Sequence, residues 1–205
     1  MNLSPRVLAT VLLAIASPAA AAASTVDLTV KGLIVPSACT PTLSNAGTID
    51  LAKISFKDLN PTTPTNLKAQ TIDLAVACDA QTLMALQTTD NRANSGIHGG
   101  YGIGLVNGNQ KLGRYNLILS NPIADSVPVQ PIASNDAGNT WYSERFWDPG
   151  LYMSVAAMDD DTQPLSAKEV VMDMQVETVI ARTDSLDLSN EVPIDGSATL
   201  EVKYL

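Results

Sequence analysis

The residues able to do chemistry are few and poorly grouped for catalysis. Cys39 and Cys78 are the only cysteines of the 205-residue chain, and His98 is its only histidine. Two thiols can pair with each other or hold a metal, but a zinc site of the usual type needs four Cys or His ligands. One histidine cannot complete such a set. His98 lies in Ser95-Gly96-Ile97-His98-Gly99-Gly100-Tyr101-Gly102-Ile103-Gly104. A glycine-rich stretch can cradle phosphate, yet no Gly-Lys-Ser or Gly-Lys-Thr triplet and no strand–loop–helix context accompanies it. As a general base His98 would need a partner nucleophile in a recognisable setting, and none surrounds it. The stretch reads as a loop feeding a strand at residues 101–106. Asp159, Asp160 and Asp161 offer hard oxygen ligands without the spacing of a calcium loop, and read as a solvated turn. Trp141, Tyr142, Phe146, Trp147 and Tyr152 crowd one short stretch. An exposed aromatic platform would suit a sugar; core packing is the reading adopted here. No catalytic residue, metal site or cofactor is expected.

The compartment follows from the first residues. Arg6 is followed by an aliphatic run from Val7 to Ala16, broken at Ser17-Pro18, and then by small residues through Ala23. This is the layout of a secretory signal peptide, cleaved after about residue 23. The run is too short for a membrane-spanning helix, which needs roughly 20 apolar residues, and no later stretch is apolar enough. An even cysteine count in an exported chain predicts a Cys39–Cys78 disulfide. Closing a loop of this length would stabilise the fold by about 4 kcal/mol in the chain-entropy model. The net charge is −9 at pH 7, and the leader contains only a basic residue, so the mature chain is more acidic still. That balance argues against nucleic acid and against anionic lipid.

The elements that must position these residues are strands. Ile72, Leu74, Val76 and Cys78 share one face of a period-two pattern. Val170, Met172, Met174, Val176, Thr178 and Ile180 share another, and Val26, Leu28 and Val30 alternate with polar neighbours near the start of the mature chain. Alternation over this length marks strands with one buried face. Asn60–Pro64, Asn107-Gly108-Asn109 and Ser134–Asn139 read as loops or hairpin ends. Short strands with such punctuation predict an antiparallel sandwich. The chain closes on Ala198, Leu200, Val202 and Tyr204 against Thr199, Glu201 and Lys203. An extended strand pattern at a chain terminus must pair with something. It either forms an ordinary first strand of its own domain or completes another molecule.

Three features occur in a fixed order: an extension Thr25–Val35 containing Lys31-Gly32, the spacing of Cys39 and Cys78 with Gly47–Leu51 between them, and the alternating end with penultimate Tyr204. Together they make the chain resemble the pilin subunits of chaperone–usher fimbriae, in particular the branch described as β-fimbrial probable major subunits. The resemblance covers about residues 24–80 and 165–205. It departs in placing Gly196 nearer the end than the family's glycine, and in surplus length between residues 80 and 165.

The resemblance implies an all-β fold. An incomplete immunoglobulin-like antiparallel sandwich (residues 37–205) would be completed by a donor strand from a partner. The donor would be the extension at residues 24–36 of a neighbouring subunit, entering with Val26, Leu28, Val30 and Gly32. The acceptor groove would be bordered by Ala198, Leu200, Val202 and Tyr204. The implied partners are identical or related fimbrial subunits, a periplasmic chaperone that lends a strand first, and an outer-membrane usher. The chain would travel through the periplasm to the cell surface. A secreted carbohydrate-binding module or tip adhesin is the alternative. A donor-like segment directly after the leader favours the shaft role.

Overall fold

The computed structural model describes residues 28–32 and 38–205. The expected leader (residues 1–23), Val26 and residues 33–37 lie outside the described residues. The chain divides into two units, residues 1–34 and 35–205, of which the second carries every described strand.

In chain order the strands are β1 (Cys39–Leu43), β2 (Thr65–Asn66), β3 (Gln70–Thr82), β4 (Met84–Asp90), β5 (Tyr101–Gly102), β6 (Leu105–Val106), β7 (Gln110–Lys111), β8 (Gly113–Ala124), β9 (Val127–Pro128), β10 (Gln130–Ser134), β11 (Tyr142–Ser143), β12 (Phe146–Trp147), β13 (Tyr152–Ala156), β14 (Ala167–Ile180) and β15 (Ala198–Tyr204). The first large sheet runs β1-β3-β14-β8-β12, with β2, β5 and β9 attached, and the second runs β11-β10-β13-β4-β15. Every pairing is antiparallel. The sheets pack face to face as a sandwich.

The alternating runs account for the core. Ile72, Leu74 and Val76 of β3 and Val170, Met172 and Met174 of β14 are buried. They meet Met84, Leu86, Met153 and Val155 of the opposite sheet in one apolar cluster. Each such aliphatic side chain contributes about 1.5–3 kcal/mol by leaving water. Glu169 is exposed and Asp173 only partly covered on the other face of β14. A helix over these residues would have scattered their apolar side chains around a cylinder.

Cys39 and Cys78 stand directly opposite on β1 and β3 and form the disulfide. It staples the short edge strand β1 to the central strands. Replacing both cysteines by serine, or reducing the bond, is expected to lower stability by about 4 kcal/mol. Urea denaturation with and without reductant measures the difference.

Two expectations are refined. The strand expected over residues 101–106 is split. Gly104 adopts φ +102, a left-handed conformation that suits glycine, and there the chain leaves β8 and enters the β6–β7 hairpin. The aromatic stretch is divided between core and surface. Trp147 is 1% exposed and its indole N–H donates to the Leu151 carbonyl at 3.1 Å. Trp141 and Tyr152 are half-buried, and Tyr142 and Phe146 are exposed on edge strands of different sheets. Asp159–Asp161 fall in a turn and bend between β13 and β14, where Asp160 accepts from the Thr162 amide at 2.9 Å and hydroxyl at 2.6 Å. Those bonds hold the Asp160 carboxyl below its usual range, the Thr162 hydroxyl first.

Candidate functional site

One side of the sandwich is closed by chain crossing from β11 to β12, the edge strands of the two sheets. On the other side the edges are β1 and β15. At one end these edges are tied together, the Cys39 amide donating to the Tyr204 hydroxyl at 3.0 Å. From that tie towards the other end they enclose an open apolar cleft.

β15 forms the cleft's first wall. Its seven residues pair with β4 from Ala198–Asp90 to Tyr204–Met84, and it ends the sheet order. Its outer edge has no strand partner among the described residues. The inward set repeats the sequence alternation, but Ala198, Leu200 and Val202 reach only half-burial while packing against the core. The corresponding face of β14 is buried from Val170 to Ile180. Beside an open cleft, β15 presents a half-covered apolar face and an outer edge without a strand partner among the described residues, the features of an exposed sheet edge.

The deeper part of the cleft has a volume of about 260 Å3 and is lined by Leu43, Ile49, Ile72, Tyr115, Met174, Val176, Ile194 and Leu200. It continues past the start of β15 into a wider space of about 760 Å3. That space lies between two irregular lips. Ile49, Leu51, Ile54 and Phe56 form one lip and Leu188, Val192 and Ile194 the other, with Ile49, Leu51 and Ile194 shared by both parts. Except for exposed Phe56, these residues are half-buried: their apolar sides face the cleft without a covering layer.

The second lip is firmly placed. The Arg92 guanidinium donates to both Asp195 carboxylate oxygens at 2.8 and 2.9 Å. The Asp195 amide donates to the Ile103 carbonyl, and the Asn91 amide to that of Ser197. The Asp187 amide donates to the Gln110 side chain at 2.8 Å. Gly196 lies flat on Tyr115, where a Cβ would come within 2.9 Å of the ring. Any side chain there would lift the lip from its floor.

Tyr115 stacks on Tyr101 at 4.8 Å between centroids, and the Tyr101 hydroxyl donates to the Trp147 carbonyl at 2.9 Å. Burial pushes both phenols well above the ordinary tyrosine range near 10; for Tyr101 a bond with the Thr88 hydroxyl partly offsets this. A raised folded-state pKa means the neutral phenol is what the fold holds. Its stabilisation is therefore complete below pH 10 and is lost as pH rises beyond that. Melting temperature should fall above pH 10, and less so in Tyr115→Phe. A titration of thermal melts tests this.

The other candidate residues are scattered. His98 sits at φ +50 in its loop, with its carbonyl accepting from Arg114 at 2.8 Å. Among the described residues its imidazole bonds to no nucleophile. The nearby Ser95 hydroxyl is committed to the Arg92 carbonyl at 2.8 Å. Among the described residues no group of three or more Cys, His, Asp or Glu is placed to hold a metal, and no helix is long and apolar enough to cross a membrane. Of the residues expected to act as a donor strand, Leu28 and Val30 are 90% and 86% exposed, and residues 28–32 form no strand. The lips at residues 49–56 and 186–197 were not anticipated from the sequence. Spaced half-buried Leu186, Leu188, Val192 and Ile194 are the signal that would have found the second.

An all-β sandwich whose terminal strand is half-covered and, among the described residues, free along its outer edge is the class of protein that fold and site define. A family model described as "Protein of unknown function (DUF1120)" matches residues 28–109. The match takes in Leu28–Gly32, both cysteines and the first lip, and stops before β8. Comparison with curated proteins gives no match.

Proposed function

We propose that this chain is a structural subunit of a bacterial surface fimbria, polymerising by strand donation after delivery by a periplasmic chaperone to an outer-membrane usher. In this reading the sandwich is an incomplete immunoglobulin-like fold, and the missing strand comes from residues 24–36 of the next copy. The observation that carries the reading is β15: a terminal strand with a free edge and a half-buried apolar face beside an open cleft. The exposed Leu28 and Val30 supply a matching apolar stripe. Burying Val26, Leu28 and Val30 in such a cleft would contribute roughly 5–9 kcal/mol before ordering costs.

The test is a peptide. A chain lacking residues 24–32, purified from a chaperone complex, should gain thermal stability when a Ser24–Pro36 peptide is added. A ligand that binds only the folded state stabilises it by about 2.7 kcal/mol at a hundred times its dissociation constant. A scrambled peptide should do nothing. A full-length chain that stays a stable monomer without chaperone, and a truncated chain indifferent to the peptide, would make residues 25–32 an ordinary first strand.

A further inference from the structure

We infer that the two ends of the sandwich form a second, end-to-end contact between successive copies, an acidic and apolar end seating on a lysine-bearing cleft end. This rests on the strand-donation reading above and adds a surface to it. The domain begins at one end, where Cys39, Thr82, Ala124 and Tyr204 lie at strand termini. The cleft is tied shut at that end and opens at the opposite one, past Ala198 towards Phe56 and Leu188.

A strand laid along the free edge of β15 can leave the cleft at either end. Leaving at the tied end would crowd the starting ends of three consecutive copies into one place. Leaving at the open end sets each starting end against the far end of the next copy, a head-to-tail stack that extends as an open filament. Only six Cα steps separate Gly32 from Ala38, at most about 21 Å at full extension. The start of one copy is therefore held against the open end of the next at high effective concentration.

The two surfaces suit each other. The starting end exposes Val127, Leu165 and Met158, the last 65% exposed, beside Asp159–Asp161. The open end exposes Phe56 at 58% and carries Lys57, Lys68 and Lys111. Among the described residues these three lysines have no carboxylate within ion-pair distance, Lys111 donating instead to the Gly96 carbonyl at 3.0 Å; at the same end Asp184, Glu191 and Asp195 are paired with Arg182, Lys53 and Arg92, and Asp50, Asp58 and Asp187 have no basic partner. A net-acidic end thus meets an end of balanced charge that carries lysines free of carboxylate partners, and apolar surface meets apolar surface.

The experiment uses filaments of the full chain. Carbodiimide treatment of wild-type filaments should join Asp159 or Asp161 to Lys57, Lys68 or Lys111 of a different copy, read by mass spectrometry. The double variant Asp159→Lys/Asp161→Lys should still give detergent-resistant polymers and still respond to the Ser24–Pro36 peptide. Without a seated end contact, however, successive domains move freely, and persistence length in electron micrographs should drop by about threefold or more. Adding Lys57→Glu/Lys111→Glu should restore it. Variant filaments as stiff as wild type, with no such cross-links in the wild type, would overturn the end contact while leaving strand donation intact. A wild-type chain that neither polymerises nor responds to the peptide overturns both.

Discussion

Leu28→Asp is expected to abolish polymerisation of the full-length chain, whereas Asp27→Ser and Thr29→Ser assemble normally. The difference lies in the period of two. If residues 24–36 enter a neighbour's cleft as a strand, Leu28 shares the inward stripe with Val26 and Val30, and its immediate neighbours point to solvent. The floor that would then receive Leu28 includes Leu43, Ile72, Met174 and Leu200, and no basic side chain lines it to pair a carboxylate. Burying an unpaired aspartate there costs on the order of 4 kcal/mol or more, about a thousandfold in occupancy. Leu28 is 90% exposed, so the same change leaves the subunit's own core untouched. Detergent-resistant ladders on unheated gels read assembly, and chaperone-bound yield reads folding. Normal ladders from Leu28→Asp would mean that this face of the segment enters no groove.

The long strands were legible because each buries one face against a complete layer. Ile72–Cys78 and Val170–Ile180 alternate in sequence for the same reason that they alternate in burial. The terminal strand was legible as a strand, and Ala198, Leu200 and Val202 do share its inward face. Their half-burial was not, because covering depends on what lies across the sandwich rather than on the strand's own pattern. The cleft lips were barely legible for a related reason. Residues 49–56 and 186–197 hold only isolated period-two pairs, such as Ile49 with Leu51, Leu186 with Leu188 and Val192 with Ile194, too short to mark a strand, since no ladder extends their repeat. They are held by singular contacts such as Arg92–Asp195 and by Gly196 lying flat on Tyr115, which spacing cannot encode. The aromatic stretch shows the same limit. Trp147 and Phe146 are adjacent on a two-residue strand, so one must enter the core and the other must leave it, and nothing local decides which.

Leu200→Asp is expected to separate folding from strand acceptance, which substitution in a closed core cannot do. Leu74 is fully buried in the middle of β3, and Leu74→Asp would strand a charge with no route to water, leaving the chain unfolded. Leu200 lines the open cleft and is only half-buried. A carboxylate at position 200 keeps its hydration through the cleft mouth while the subunit is unpaired, so the monomer should lose only about 1–2 kcal/mol. Once a donor strand covers the cleft, that route is sealed and the full burial cost falls on the bound state. The variant should therefore melt a few degrees early with its disulfide intact, yet show no heat of binding to the Ser24–Pro36 peptide in titration calorimetry. Glu201→Gln, one residue along and facing outward, should bind the peptide as wild type does. If Leu200→Asp unfolds the subunit as thoroughly as Leu74→Asp, the cleft behaves as closed core. If it binds the peptide undiminished, the donor pairs elsewhere.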